Sequence, residues 1–221
     1  VILIQPNHAD AHNNLGNVLK ELKEPQKAMG CYEKVIQIDP NYATAHYNLG
    51  LLYKLSGELK KARSCYEKAI GIDPNYAAAH NNLGFIFQEL NEHQKAKNCY
   101  EKAIQINPDY AGAHNNLGNV FNELKELQKA KNCYEKAIEI NPNYADAHNN
   151  HGNVLKELKE PQKAINCYEK AIQIQPNHAD AHTNLGAVFT KLGKLQKAKS
   201  CLQKAIQINP NYADAHNNLG S

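Results

Sequence analysis

One spacing, of 34 residues, runs through the whole chain. The sequence Ala-x-Ala-His first appears at residues 9–12 and returns every 34 residues, with its histidine at His12, His46, His80, His114, His148, His182 and His216. This gives six complete repeats, 9–42, 43–76, 77–110, 111–144, 145–178 and 179–212, and partial repeats at 1–8 and 213–221. A fixed period of this length is typical of a solenoid, in which each unit packs on its neighbours.

Each repeat has the apolar pattern of two helices. In the first repeat, one helical face carries Ala11, Leu15, Val18, Leu19 and Leu22, and a second carries Ala28, Cys31, Tyr32, Val35, Ile36 and Ile38. Proline closes the repeat at Pro40 because it cannot continue a helix. Pro25 is suited to the first position of the second helix, and Gly57 marks the same turn in the next repeat. The pattern predicts an all-α fold of antiparallel helix pairs.

Small residues recur where the paired helices should meet. Gly16 and Ala28 have equivalents in all six complete repeats. A glycine inside a helix costs about 1 kcal/mol relative to alanine. We therefore expect the glycine to be kept because a side chain there would hold the two helices apart.

These positions resemble the tetratricopeptide repeat. The first repeat supplies the family's positions with His12, Leu15, Gly16, Leu19, Ala28, Tyr32 and Pro40. Histidine stands where the family has tryptophan, and tyrosine replaces phenylalanine except at Leu202. The resemblance implies a right-handed α–α superhelix whose first helices line a concave groove. It also implies protein or peptide ligands in that groove.

Charge and hydropathy argue against two classes of partner. The 25 basic and 22 acidic residues leave a net charge of +3, too balanced to predict a nucleic-acid surface. No apolar run approaches the roughly 20 residues that cross a bilayer, so we expect no membrane insertion. Six cysteines at the 34-residue period are expected to be reduced core residues, which favours a cytoplasmic location.

The histidine and cysteine series do not predict chemistry. Equivalent residues in stacked repeats lie at least about 8–10 Å apart. Zinc needs ligand bonds of about 2 Å, and a disulfide needs Cα atoms within about 4.4–6.8 Å. The sequence has no phosphate-binding glycine loop, no His-Glu-x-x-His and no Cys-x-x-Cys. We predict a non-enzyme without catalytic residues, metal or cofactor.

Asparagine occupies one phase of every first helix. We call these residues the asparagine ladder: Asn14, Asn48, Asn82, Asn116, Asn150, Asn184 and Asn218. An amide both donates and accepts, so the ladder could hold an extended peptide backbone. The ladder is similar to that in the tetratricopeptide region of protein O-linked N-acetylglucosamine transferases, which implies contact with substrate or adaptor backbone. The alternative is that the amides bond to the neighbouring repeat and set the pitch of the superhelix.

Two repeats interrupt the polar pattern. Tyr47, Leu51 and Phe85 stand at groove phases that carry asparagine elsewhere, and we call them the apolar patch. An apolar patch in a polar groove can anchor a ligand side chain. Additional packing between the second and third repeats is the alternative.

Three functions fit the pattern to different degrees. The leading interpretation is a scaffold that binds an extended peptide or partner protein in the groove. The chain could instead be the substrate-recruiting region of a larger enzyme, such as a glycosyltransferase. RNA binding would require a basic inner face, whereas this one is neutral. Chaperone tails are not expected as ligands, because the Lys and Arg of a carboxylate clamp are missing from the groove phases.

Two further expectations concern single places in the chain. His151 stands where the other repeats have leucine, which marks a weak point in the core. Uncapped terminal repeats are expected to stack on neighbouring molecules and to give end-to-end association.

Overall fold

The computed structural model describes residues 8–211 together with residues 213 and 215. The chain divides into two compact units, Val1–Pro108 and Asp109–Ser221. The first contains α1 (Ala9–Glu21), α2 (Pro25–Ile38), α3 (Ala43–Leu55), α4 (Leu59–Ile72), α5 (Ala77–Glu89) and α6 (His93–Ile106). The second contains α7 (Ala111–Glu123), α8 (Leu127–Ile140), α9 (Ala145–Glu157), α10 (Pro161–Ile174), α11 (Ala179–Lys191) and α12 (Leu195–Ile208).

Each repeat forms one helix pair, and the pairs stack in order within a unit. Every odd-numbered helix, the first helix of its repeat, packs against the even-numbered helix that follows it. The second helix then packs on the next first helix, as α2 does on α3 and α8 does on α9. The predicted all-α fold of paired helices is confirmed in both units.

The turn inside each repeat is set by one residue with a left-handed backbone. Gly57 and Gly193 have φ of 77° and 70°, and the equivalent position is Lys23, Asn91, Lys125 or Lys159 in the other complete repeats, with φ between 57° and 62°. The second helix starts directly afterwards, at Pro25 in the first repeat and Pro161 in the fifth, as predicted. A sharp reversal of this kind brings the two helices into contact along their length.

An aromatic ring accounts for the glycine of the first helix. A Cβ on Gly16 would lie 2.7 Å from Tyr32 Cε1, and the same overlap recurs in the next four repeats. In the sixth repeat the close neighbour of Gly186 is Leu202. The tyrosine side chains are fully buried in the first three repeats. The expectation that a side chain would separate the helices is confirmed, and the separating contact is with the tyrosine ring.

Parts of two predictions fall outside the described residues. Asn218 and most of the two partial repeats, on which the expected end-to-end association depends, are not among them. Within the described residues, none of the helices is both long and apolar enough to cross a membrane.

Candidate functional site

The histidines at the 34-residue period bond to the backbone of the preceding turn. The Nε2 of His46 donates to the carbonyl of Pro40 at 3.0 Å, and His80, His148 and His182 repeat this bond at 3.0–3.1 Å. Burial lowers the pKa of these last three imidazoles. The imidazole therefore ties the start of its own helix to the proline turn that precedes it. Among the described residues, no group of three or more His, Cys, Asp and Glu side chains could hold a metal ion.

The structure also brings together a cysteine, a histidine and a glutamate that the sequence did not place side by side. Cys167 Sγ lies 3.7 Å from His151 Nδ1, and His151 Nε2 lies 3.7 Å from Glu135 Oε1. Burial raises the pKa of Cys167 to about 11 and lowers that of His151. An activated cysteine needs a lowered thiol pKa beside a protonated base. This cluster is the opposite, a neutral thiol beside a neutral imidazole.

The asparagine ladder bonds between consecutive repeats of the same unit. Asn48 Nδ2 donates to Asn17 Oδ1 at 3.2 Å in the first unit. In the second unit, Asn184 Nδ2 donates to Asn149 Oδ1 at 3.0 Å. Asn150 Nδ2 donates to two oxygens of the preceding repeat, each at 3.2 Å. The amide nitrogens of these residues are therefore engaged in holding neighbouring repeats together.

The remaining ladder residues differ in their surroundings. Asn14 is exposed and Asn116 is half-buried. Asn82 is buried, donates to Tyr47 Oη at 3.2 Å and to the Ala78 carbonyl at 3.0 Å, and accepts from Lys54 Nζ at 2.7 Å. Asn82 is thus tied to the apolar patch, because Tyr47 belongs to that patch.

A second set of asparagines, one helical turn along, joins the ladder to the core. The hydroxyl of Tyr32 donates to Asn17 Oδ1 at 2.8 Å, and the same bond joins Tyr134 to Asn119 and Tyr168 to Asn153. Asn17 and Asn119 also accept from the ladder residue of the next repeat. We call this arrangement, in which one asparagine oxygen serves a core tyrosine and the next repeat, the asparagine bridge.

The sequence contains only a weak signal for this bridge. The sixth repeat lacks both partners, with Ala187 in place of the asparagine and Leu202 in place of the tyrosine. The second and third repeats also lose the asparagine but keep the tyrosine. The bond between the two positions therefore does not follow from the sequence.

The second and third repeats lack the bridge. Leu51 stands at the asparagine position of the second repeat and cannot accept a hydrogen bond. The hydroxyl of Tyr66 is consequently buried without a hydrogen-bond partner in the described part of the chain. In the third repeat, where Phe85 takes the asparagine position, Tyr100 donates to Gln88 Oε1 at 3.1 Å instead.

The three residues of the apolar patch are half-buried and lie in the first unit. The ring centroid of Tyr47 lies 4.8 Å from that of Tyr76 and 5.9 Å from that of Tyr66. Lys54 Nζ lies 4.9 Å from the centroid of the Phe85 ring. Burial lowers the pKa of this lysine. The patch therefore contributes to packing and leaves apolar surface exposed at the same time.

Comparison with known families identifies the repeat. A family model described as "Tetratricopeptide repeat" matches residues 9–42, 43–76, 77–110, 111–144 and 179–212. The chain belongs to the tetratricopeptide repeat family. Two further models of the family match residues 133–166 and 152–193, so the fifth repeat, which carries His151, is matched only in shifted frames. Membership of the tetratricopeptide repeat family supports a general role in protein interaction.

Solved structures agree with this assignment. The Cut9–Hcn1 hetero-tetramer of the APC/C contains a chain that matches with a TM-score of 0.88 and 21% identity, covering 99% of this chain and 43% of that one. PilF of Pseudomonas aeruginosa matches with a TM-score of 0.84 and 23% identity over 95% of both chains. YrrB, described as a TPR protein with an unusual peptide-binding site, matches with a TM-score of 0.65 and 26% identity over 84% of this chain and 96% of its own. No curated protein sequence matches the chain.

Proposed function

We propose that the first helices of the repeats bind an extended peptide, and that the apolar patch anchors one of its apolar side chains. The observation that carries the proposal is the missing asparagine bridge at Leu51. An unpaired buried hydroxyl costs about 1–3 kcal/mol, and an asparagine at Leu51 would provide the acceptor that it provides in three other repeats. Apolar surface kept in a groove at the expense of stability is characteristic of a binding site.

The ladder has a defined part in this proposal. The amide nitrogens of Asn48 and Asn184 hold the neighbouring repeat, and their oxygens have no hydrogen-bond partner among the described residues. An amide oxygen accepts hydrogen bonds through two lone pairs. The oxygen of the half-buried Asn184 is therefore suited to accept an N–H group of an extended peptide, whereas Asn48 is only 6% exposed. The ladder would set the repeat geometry through its nitrogens and contact the ligand backbone through those oxygens that are accessible.

The test is a peptide-array or peptide-library selection with the whole protein. The test variant combines Tyr47→Asn, Leu51→Asn and Phe85→Asn, since asparagine occupies these phases in other repeats. We expect selected peptides to share an apolar residue and to lose at least about tenfold in affinity for this variant, or about 1.4 kcal/mol.

The matched control is Leu195→His. Leu195 is an exposed apolar residue on α12, where the third repeat has His93. Peptide affinity should not change in this control. Equal loss in both variants, or unchanged binding by the triple variant with its helical content intact, would reject the apolar patch as the anchor.

The same face could recruit substrates for a larger enzyme. The similarity of the ladder to that of O-linked N-acetylglucosamine transferases favours this second function, with the chain acting as the part that selects the substrate. Fusing the chain to an unrelated transferase domain should increase modification of library-selected peptides over scrambled ones. If the fusion shows no preference for the selected peptides, the substrate-recruiting function is rejected and the scaffold function remains.

A further inference from the structure

A small cavity in the second unit gathers three lysines. It has a volume of about 250 Å³ and lies between the turn that joins α9 to α10 and the last turn of α11. We call it the cationic pocket, and it is lined by Lys156, Lys159, Pro161, Val188, Lys191 and Leu192. Val188 is buried, whereas Leu192 is 41% exposed. The cavity therefore combines apolar lining with a rim of ammonium groups.

In the preceding pair of repeats, the turn lysine has an acidic partner. Lys125 occupies the turn position of Lys159, and its Nζ lies 3.4 Å from Glu157 Oε2 in the next first helix. One repeat later, Lys191 stands at the position of Glu157. The exchange replaces the acidic partner of the turn lysine with a third cation.

None of the three lysines forms an ion pair within the described residues. Lys156 is half-buried, and burial together with the nearby charge of Lys191 lowers its pKa, while the nearby carboxylate of Glu157 opposes part of that shift. Lys159 and Lys191 are exposed, so the cost of burying a cation falls on Lys156, and a bound anion would offset it. The positively charged rim and the apolar lining together determine which class of ligand the pocket can bind.

We propose that the cationic pocket binds an acidic peptide segment, with one apolar side chain in the cavity and flanking Asp or Glu carboxylates paired with Lys156, Lys159 and Lys191. The inference rests on the proposed function in that the ligand is a peptide, but it concerns different residues from the apolar patch. Pairing should be sensitive to salt, because Lys159 and Lys191 are exposed.

The probe is a short acetylated and amidated peptide of alternating glutamate and leucine, compared with its glutamine and leucine counterpart. We expect the whole protein to bind the acidic peptide at least about tenfold more tightly, as charge-assisted pairs would give. Added salt should reduce that difference. A third peptide, with glutamine and leucine and a free carboxyl terminus, tests whether a terminal carboxylate alone is enough.

Other repeats of this chain suggest the variants. Lys191→Glu copies Glu157 and should weaken binding of the acidic peptide at least about tenfold. Lys156→Asn copies Asn122, and Lys159→Gly copies Gly57 at the same left-handed position, so both should fold and give smaller losses. The control, Lys125→Gly, removes a lysine that is already paired and should leave binding unchanged.

Three results would overturn the inference: equal binding of the acidic and glutamine peptides, full binding by Lys191→Glu, or binding that needs only a free carboxyl terminus. Peptides selected for the apolar patch should bind Lys191→Glu unchanged. If they do and the acidic probe fails, the pocket assignment falls while the proposed function stands.

Discussion

The contact between the fourth and fifth repeats and the contact between the second and third differ at the position of the asparagine bridge. In the former, Asn119 accepts hydrogen bonds from Tyr134 and from Asn150 of the next repeat. In the latter, Leu51 takes that place and leaves the Tyr66 hydroxyl buried without a partner in the described chain. The same position of the repeat thus stabilises the contact that follows the fourth repeat and does not stabilise the contact that follows the second.

The largest expected effect comes from imposing the second repeat's pattern on the fourth. Asn119→Leu leaves the Tyr134 hydroxyl without its acceptor and removes one bond from the next repeat, so we expect a loss of about 2–3 kcal/mol in unfolding free energy. Urea denaturation measures it. Adding Tyr134→Phe should recover part of the loss, because the unpaired hydroxyl is then gone. A loss below about 0.5 kcal/mol would show that the bridge contributes little.

The fifth repeat has the reverse mismatch, a polar residue at an apolar position. His151 stands where Leu117 and Leu185 are 5–7% exposed, and its contacts with Cys167 and Glu135 are long. His151→Leu should raise the unfolding free energy by about 1–2 kcal/mol through apolar burial and removal of a polar group. A thermal melt without an increase in Tm would contradict this.

Deleting the tyrosine hydroxyl should change the unfolding free energy in opposite directions at the two contacts. Tyr66→Phe removes an unpaired buried hydroxyl and should stabilise the protein by about 1 kcal/mol. Tyr134→Phe removes a paired hydroxyl and should destabilise it by a similar amount. The two variants change the same atom, so denaturation curves compare the environments directly. Changes of equal sign would mean that the two tyrosines do not differ as described.

The smallest expected effect is a dependence of the unfolding free energy on pH. Burial lowers the folded-state pKa of His80, His148, His151 and His182 below the ordinary value of 6.5. The unfolded chain therefore takes up protons first as the pH falls. Stability should be complete above about pH 6.5 and decline as the pH falls towards the folded-state pKa values. His151→Leu should make the decline shallower in urea titrations, and a steeper decline would contradict the assignment.

The fold followed from the sequence because the signals were local and repeated. Proline ends, the glycine of the first helix and the apolar faces recur at one spacing, and each has a single physical explanation. The role of Asn17 did not follow, because its bonds join Tyr32 in one helix and Asn48 in another. Such a bond depends on how helices stack, which a periodic pattern alone does not specify. The cationic pocket was missed for the same reason, since its lysines come from two helices and a turn.

The central claim is that the first-helix face binds an extended peptide across the apolar patch. Titrating the labelled protein with a library-selected peptide, and following side-chain signals by NMR, tests this directly. We expect the Leu51 methyl signals and the side-chain amide signals of Asn48 and Asn82 to shift in a saturable manner, with the second-helix faces unaffected. Shifts confined to the second helices, with none at Leu51, would contradict the claim.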